Sequence, residues 1–142
     1  MNHKEHKAHQ EIRKAPEPIA STTERIVRDI IGAAVAVHRE LGPGFIEPVY
    51  GRAMIVELRH RNLRTEAEKP IDVHYRGELL CSHRLDIVVE RVVVVEVKAV
   101  RRLRPIHHAQ VLSYLKASGC RVGLLMNFNV PMLIEGLRRF VR

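Results

Sequence analysis

The spacing of apolar residues along this chain changes twice, and each change marks a new kind of element. Ile26, Ile30, Ala33, Val37 and Leu41 recur every three or four residues, the interval that lines one face of a helix. This predicts a first helix over about 22–40. A Ser21/Glu24 capping box would open it, and Gly42-Pro43-Gly44 would stop it, because glycine accepts the left-handed cap and proline cannot continue the ladder. Pro48 suits the first turn of a second helix running to about His60, with Val49, Ala53 and Val56 inward and Glu47 at its N-terminus.

Beyond Asn62 the period falls to two. Ile71, Val73 and Tyr75 alternate with polar residues, Arg76-Gly77 supplies a turn, and Leu79, Cys81, His83, Leu85 and Ile87 continue the alternation, which predicts a strand hairpin. Val92 to Ala99 is a β-branched run broken only by Glu96 and Lys98, as expected of a central strand covered on both faces. Pro105 then opens a helix to about Ser118, residues 121–128 form a fourth strand, and a short amphipathic segment closes the chain as a helix or an edge strand. The expected order is ααβββαβ plus that last element.

Length and composition bound this picture. A chain of 142 residues, 46% hydrophobic, suits one domain with a real core. Residues 1–20 carry Pro16 and Pro18 without apolar periodicity and read as a mobile polar tail before a single domain over 21–142. His3, His6 and His9 in that tail offer at most weak chelation. No apolar run approaches the roughly 18 residues of a membrane span, and the polar start has no signal-type apolar core, so the cytoplasm is expected and no membrane partner. Cys81 and Cys120 lack metal or disulfide spacing and are expected as small buried hydrophobes.

Charge adds a partner. The net charge is +8, and residues 98–142 hold 9 Lys/Arg against the single acid Glu135, so the whole excess lies in the C-terminal third. Such a field suits a phosphate backbone, which rewards each cation through counterion release. Arg101, Arg102 and Arg104 would either clamp phosphates or form a solvated loop.

Two charges inside a buried strand need a reason, since an unpaired buried charge is costly. Glu96 and Lys98, two apart, share a face. An inert ion pair would explain them, and a Glu-x-Lys triplet is common by chance. Asp86 on the preceding strand changes this if the hairpin register allows. A two-residue loop sets Asp86 opposite Val95 and sends the two carboxylates to opposite faces. A three-residue loop over Val89–Arg91 sets it opposite Val94, with Glu96 its same-face diagonal neighbour, and a bulge of the same parity would serve equally. Given that parity, Asp86 and Glu96, with the Val97 carbonyl, make a hard-oxygen pocket suited to Mg²⁺ or Mn²⁺, and Lys98 could orient or deprotonate a water.

These residues match a family pattern. Asp86, followed after nine residues by Glu96-Val97-Lys98, resembles the PD-(D/E)XK nuclease signature, although no proline precedes Asp86. Gln110 and Tyr114 resemble the Q-x-x-x-Y element of its RecB-like branch, and Gly44-Phe45-Ile46-Glu47-Pro48-Val49-Tyr50 reads as G-x-x-E-x-x-Y, the motif naming a small group in that superfamily. The resemblance implies an α/β, restriction-endonuclease-like core, a mixed sheet flanked by helices. It implies a catalytic set of Asp86, Glu96, Lys98 and Glu47, with Glu47 a further metal ligand. Gln110, Tyr114, Tyr50 and His107 would contact substrate or support the site. The expected activity is metal-dependent hydrolysis of nucleic-acid phosphodiesters, DNA before RNA, with a homodimer or larger complex left open. An idle nucleic-acid- or partner-binding module and a phosphohydrolase of small phosphates are the alternatives.

Overall fold

The computed structural model describes residues 17–142. Two helices, α1 (Ser21–Leu41) and α2 (Glu47–His60), precede a long hairpin of β1 (Thr65–Tyr75) and β2 (Glu78–Val89). Then come β3 (Val93–Lys98), α3 (Pro105–Ser118), β4 (Val122–Asn127), the single turn α4 (Leu133–Gly136) and β5 (Leu137–Val141). The closing segment is thus both of the expected alternatives in succession. The sheet runs β1-β2-β3-β4-β5; only β3 and β4 are parallel, joined by the α3 crossover, and the sheet is therefore mixed.

Both faces of the sheet are covered, which is why β3 reads as an almost unbroken apolar run. Val93, Val95 and Val97 pack with Ile30, Ala33, Tyr50, Met54 and Leu58 of α1 and α2, while Val94 packs with Val111 and Leu115 of α3. Close approach of α3 needs Gly123, where a Cβ would stand 2.7 Å from the Val111 side chain. No described helix is long and apolar enough to cross a membrane.

Several local expectations are corrected. The buried stripe of α2 is Tyr50, Met54 and Leu58, and Val56 is exposed. The larger side chains at i, i+4 and i+8 bury more apolar area and so set the helix's rotation. The Ser21/Glu24 capping box does not form: α1 begins without a side-chain cap, and the Glu24 carboxylate instead takes the Arg139 guanidinium of β5. Cys81 is exposed, because the distal half of the β1–β2 hairpin projects past the core, and Cys120, just after α3, is half-buried.

The part of the expected tail over residues 1–16, with His3, His6 and His9, lies outside the described residues. Residues 17–20 are docked: Arg121 donates to the Glu17 and Pro18 carbonyls, and Ile19 packs on the core.

Candidate active site

The hairpin between β2 and β3 sets the site. Its ladder pairs Val89 with Val93, Val88 with Val94 and Ile87 with Val95. The loop is Glu90-Arg91-Val92, one residue further along than expected but of the required odd parity. Glu90 and Arg91 both have positive φ (51° and 60°), and Val92 N donates to Val89 O at 3.0 Å, so a tight left-handed turn is followed by one extra residue, Val92. Glu90 tolerates this conformation because both its polar ends are held by Arg64: its N–H donates to the Arg64 carbonyl (2.8 Å) and its carboxylate accepts the Arg64 N–H (2.6 Å).

Continued by one pair, this register sets Asp86 directly opposite Glu96, in place of the diagonal relation expected. The regular ladder ends there. Asp86 Oδ2 accepts the Val97 N–H (2.9 Å), and Glu96 Oε1 accepts the Asp86 N–H (3.3 Å), so each carboxylate replaces a carbonyl of the neighbouring strand. The strand itself turns over at this point: Leu85 packs in the α3 core and Ile87 in the α1/α2 core, although residues two apart on a regular strand share a face. Across from it on β1, Glu68 has φ 48° and drops out of the pairing. Two strands, β1 and β2, are thus distorted beside this pair of acids, while β3 keeps its register with β4.

The electrostatics follow from that placement. Glu96 is 4% exposed. Burial, and then the adjacent negative charge of Asp86, push its carboxyl up to about 8. The Lys98 ammonium acts in the opposite sense on Glu96, and likewise on Glu47, whose carboxyl is raised by burial and also feels Asp86. Glu47, at the start of α2, lines a cavity of about 390 Å³ with Arg52, Glu68, Asp86 and Val97.

Among the described residues no ion pair involves Asp86 or Glu96. A buried carboxylate forced toward its neutral form beside a second acid is a donor set that suits a hard divalent cation. No group of three or more His, Cys, Asp or Glu side chains among the described residues is gathered closely enough to hold an ion. Asp86 and Glu96 are brought together, whereas Glu47 lines a cavity with Asp86 without joining the pair.

The remaining expected residues divide. Tyr114 on α3 is hydrogen-bonded to His83, and burial, then the charges of Glu96 and Asp86, raise its phenol. Gln110, one turn earlier, is half-buried and makes no side-chain hydrogen bond among the described residues. Tyr50 is 0% exposed and cannot touch substrate. Its hydroxyl donates to the Gly42 carbonyl (2.5 Å) and accepts the Phe45 N–H (3.1 Å), and its ring stacks on Phe128 at 4.7 Å, so it pins the loop that delivers Glu47.

His107 caps α3, its Nδ1 accepting the Arg104 N–H at 3.0 Å. Burial and the nearby Lys98 hold its imidazole below the ordinary value. With exposed Arg101, Arg102 and Arg104 it lines a groove of about 660 Å³ beyond the end of β3.

Three contributors escape a reading of the sequence. Glu68 enters the acidic cavity only through its irregular backbone, which no residue type announces. His83 looks like one more alternating strand position, yet its Nε2 lies 2.7 Å from the Tyr114 hydroxyl. Asn127, buried at the end of an apolar strand, binds both polar groups of Val100 and so fixes the chain leaving β3; a polar residue closing such a strand was the available signal.

A mixed five-stranded sheet flanked by helices, with acids where two strands part, defines a restriction-endonuclease-like α/β protein. The family model described as the PD-(D/E)XK nuclease superfamily matches residues 24–140, and the chain belongs to that superfamily. Comparison with curated proteins and with solved structures returns no match.

Proposed function

We propose that this chain is a metal-dependent nuclease that hydrolyses phosphodiesters at the Asp86–Glu96 notch. The observation that carries the reading is the reciprocal engagement of these carboxylates with backbone N–H groups of each other's strands, at a buried carboxyl that burial and Asp86 push up to about 8. Asp86, Glu96 and the Val97 carbonyl would hold Mg²⁺ or Mn²⁺, with Glu47 joining from α2. When bound, such an ion supplies Lewis-acid polarisation of a phosphoryl oxygen and a lowered pKa for water. Lys98, whose charge reaches Glu47, Glu96 and His107, positions the attacking water, and accepting that water's proton would require its free-amine form. Arg101, Arg102 and Arg104 bind backbone phosphates, Tyr114 and Gln110 face the substrate from α3, and Tyr50 and His107 support the site from behind.

The G-x-x-E-x-x-Y spelling of residues 44–50 supports placement in the group of that name. DNA is the proposed substrate ahead of RNA, a single domain over 21–142 the unit, and the cytoplasm the compartment. One observation favours a second reading, a binding module without turnover: Glu47 stands apart from the acid pair.

Labelled single- and double-stranded DNA and RNA, incubated in Mg²⁺, Mn²⁺ or EDTA beside Lys98→Ala and Asp86→Ala, separate the two. Cleavage that needs metal and both side chains supports the nuclease. Cleavage surviving in EDTA or in both variants refutes this site, and metal-independent binding without cleavage establishes the module.

A further inference from the structure

The cavity of about 390 Å³ that Asp86 lines lies between a helix and the sheet. Glu47, Gly51, Arg52 and Ile55 of α2 form one wall, and Ala67 of β1 with Asp86 of β2 faces them. Glu47, Gly51 and Ile55 are spaced four apart, so one stripe of α2 borders the space. Two residues of that wall are unexplained by the fold.

Gly51 is the first. A glycine inside a helix weakens it and calls for a reason. Its backbone is not at positive φ, and a Cβ placed on it would meet nothing within 4 Å. Gly123 is the contrast, since a Cβ there would strike the Val111 side chain. Neither backbone conformation nor close packing within the chain therefore requires a glycine at 51. Its missing side chain leaves open floor in the cavity, one helical turn from Glu47.

Arg52 is the second. It is exposed, and three carboxylates, Glu47, Glu68 and Asp86, line the same cavity, yet it makes no ion pair among the described residues. Glu68 has Arg84 at 3.7 Å instead, and the Lys98 charge bears on Glu47 from β3. Among the described residues Arg52 is the only cation lining the cavity. Its planar guanidinium is the group that grips a phosphate through two parallel hydrogen bonds. The acids repel a phosphate, so Arg52 marks the place in the cavity where an anion can sit.

Size decides the unit. A volume of about 390 Å³ falls at the small end of the range for small-ligand sites, roughly 300–1,000 Å³, which suits one nucleotide and not a base pair. Ile55 and Ala67 offer apolar walls to the flat face of an unpaired base.

We propose that this cavity is a subsite for one unpaired nucleotide of the strand being cut, with its base over Gly51 against Ile55 and its phosphate held by Arg52. The proposal rests on the nuclease reading and narrows its substrate to single strands and to strand ends freed from their partner. Arg52 is thereby a substrate-binding residue.

The test uses the full chain with Arg52→Ala, Arg52→Lys and Gly51→Leu. Leucine is a better helix former than glycine and enters open space, so Gly51→Leu should unfold thermally no lower than the parent while it fills the floor. On a labelled single-stranded oligonucleotide in Mg²⁺, Arg52→Ala and Gly51→Leu should each raise KM about tenfold and leave kcat within about twofold. Arg52→Lys, which keeps the charge and loses the fork, should fall between parent and Arg52→Ala. The parent should cut single strands faster than blunt duplex, and both impaired variants should lose that preference.

A second readout is independent of turnover. Fluorescence anisotropy in a Lys98→Ala background, with Ca²⁺ in place of Mg²⁺, follows oligonucleotide binding across a salt series. Adding Arg52→Ala should lower the slope of log K against log salt by about 0.7, one single-strand phosphate contact. An unchanged slope overturns the subsite, and so does Gly51→Leu with the parent's KM. A parent that cuts blunt duplex as fast as single strands, in metal and through Lys98 and Asp86, also overturns it and leaves the nuclease reading standing. A parent without metal-dependent cleavage, or one whose Lys98→Ala and Asp86→Ala variants cleave normally, overturns the nuclease reading and the subsite with it.

Discussion

Asp86 and Glu96 each take the backbone bond that the other's strand leaves open: Val97 N–H goes to Asp86 Oδ2 at 2.9 Å, and Asp86 N–H to Glu96 Oε1 at 3.3 Å. The site is therefore part of the sheet's own hydrogen bonding. The acids are held as firmly as the strands, which is the preorganisation that a charged reaction centre requires.

Replacing either acid or the lysine tests that centre. Asp86→Asn, Glu96→Gln and Lys98→Ala should each lower the cleavage rate by about 10²-fold or more, the scale of losing a positioned acid, base or charge stabiliser. Single-turnover assays in Mg²⁺ measure this, and unchanged far-UV circular dichroism shows that the fold is kept.

Stability should depend on pH through Glu96. Its carboxyl is pushed up to about 8 in the folded protein, against 4.5 for the ordinary group. Between those values the folded state keeps a proton that the unfolded chain releases. The stabilisation is complete below pH 4.5 and is lost as pH rises through 8. Metal-free protein should accordingly unfold at lower urea at pH 8.5 than at pH 6, and Glu96→Gln should flatten that dependence. Mg²⁺ binds the ionised form, so it should raise the thermal midpoint more at pH 8.5 than at pH 6.

The arginine groove should govern affinity. Arg101→Ala and Arg104→Ala should each weaken binding of DNA of any sequence and reduce the slope of log K against log salt by about 1. Fluorescence anisotropy across a salt series, performed in EDTA to prevent turnover, reads this directly. An unchanged slope would leave these residues as a solvated loop.

Asn127 ties the groove to the strand. Its Oδ1 accepts the Val100 N–H (3.0 Å) and its Nδ2 donates to the Val100 carbonyl (2.8 Å). Asn127→Ala strands the Val100 N–H and leaves its carbonyl only the longer bond from Asn129 Nδ2 (3.4 Å), and should cost about 2 kcal/mol in urea unfolding.

Much of the frame was legible. Ile30, Ala33 and Val37 occupy the buried face that their spacing indicates, and the valine run of β3 is covered on both sides, because periodicity and apolar density report burial directly. Legibility failed where two solutions fit the same pattern. On α2 the smaller residues Val49, Ala53 and Val56 and the larger Tyr50, Met54 and Leu58 both recur at helical spacing, and only packing against the sheet chose the second set. Tyr50 shows the same limit: a motif marks the residue, but its 0% exposure makes it a loop anchor.

By itself the sequence determined the order of elements, the central strand, the basic C-terminal third and the identities of the acids and lysine, since all of these depend on local pattern or composition. Only the tertiary structure decided that Asp86 meets Glu96. That meeting depends on the turn at Glu90 and Arg91, two non-glycine residues held at positive φ, partly by bonds from Glu90 to Arg64, which lies 26 residues earlier in the chain. A strand register changes faces with each single-residue step, so the parity of one small loop, fixed by a distant backbone contact, separates a paired acid site from two unrelated carboxylates.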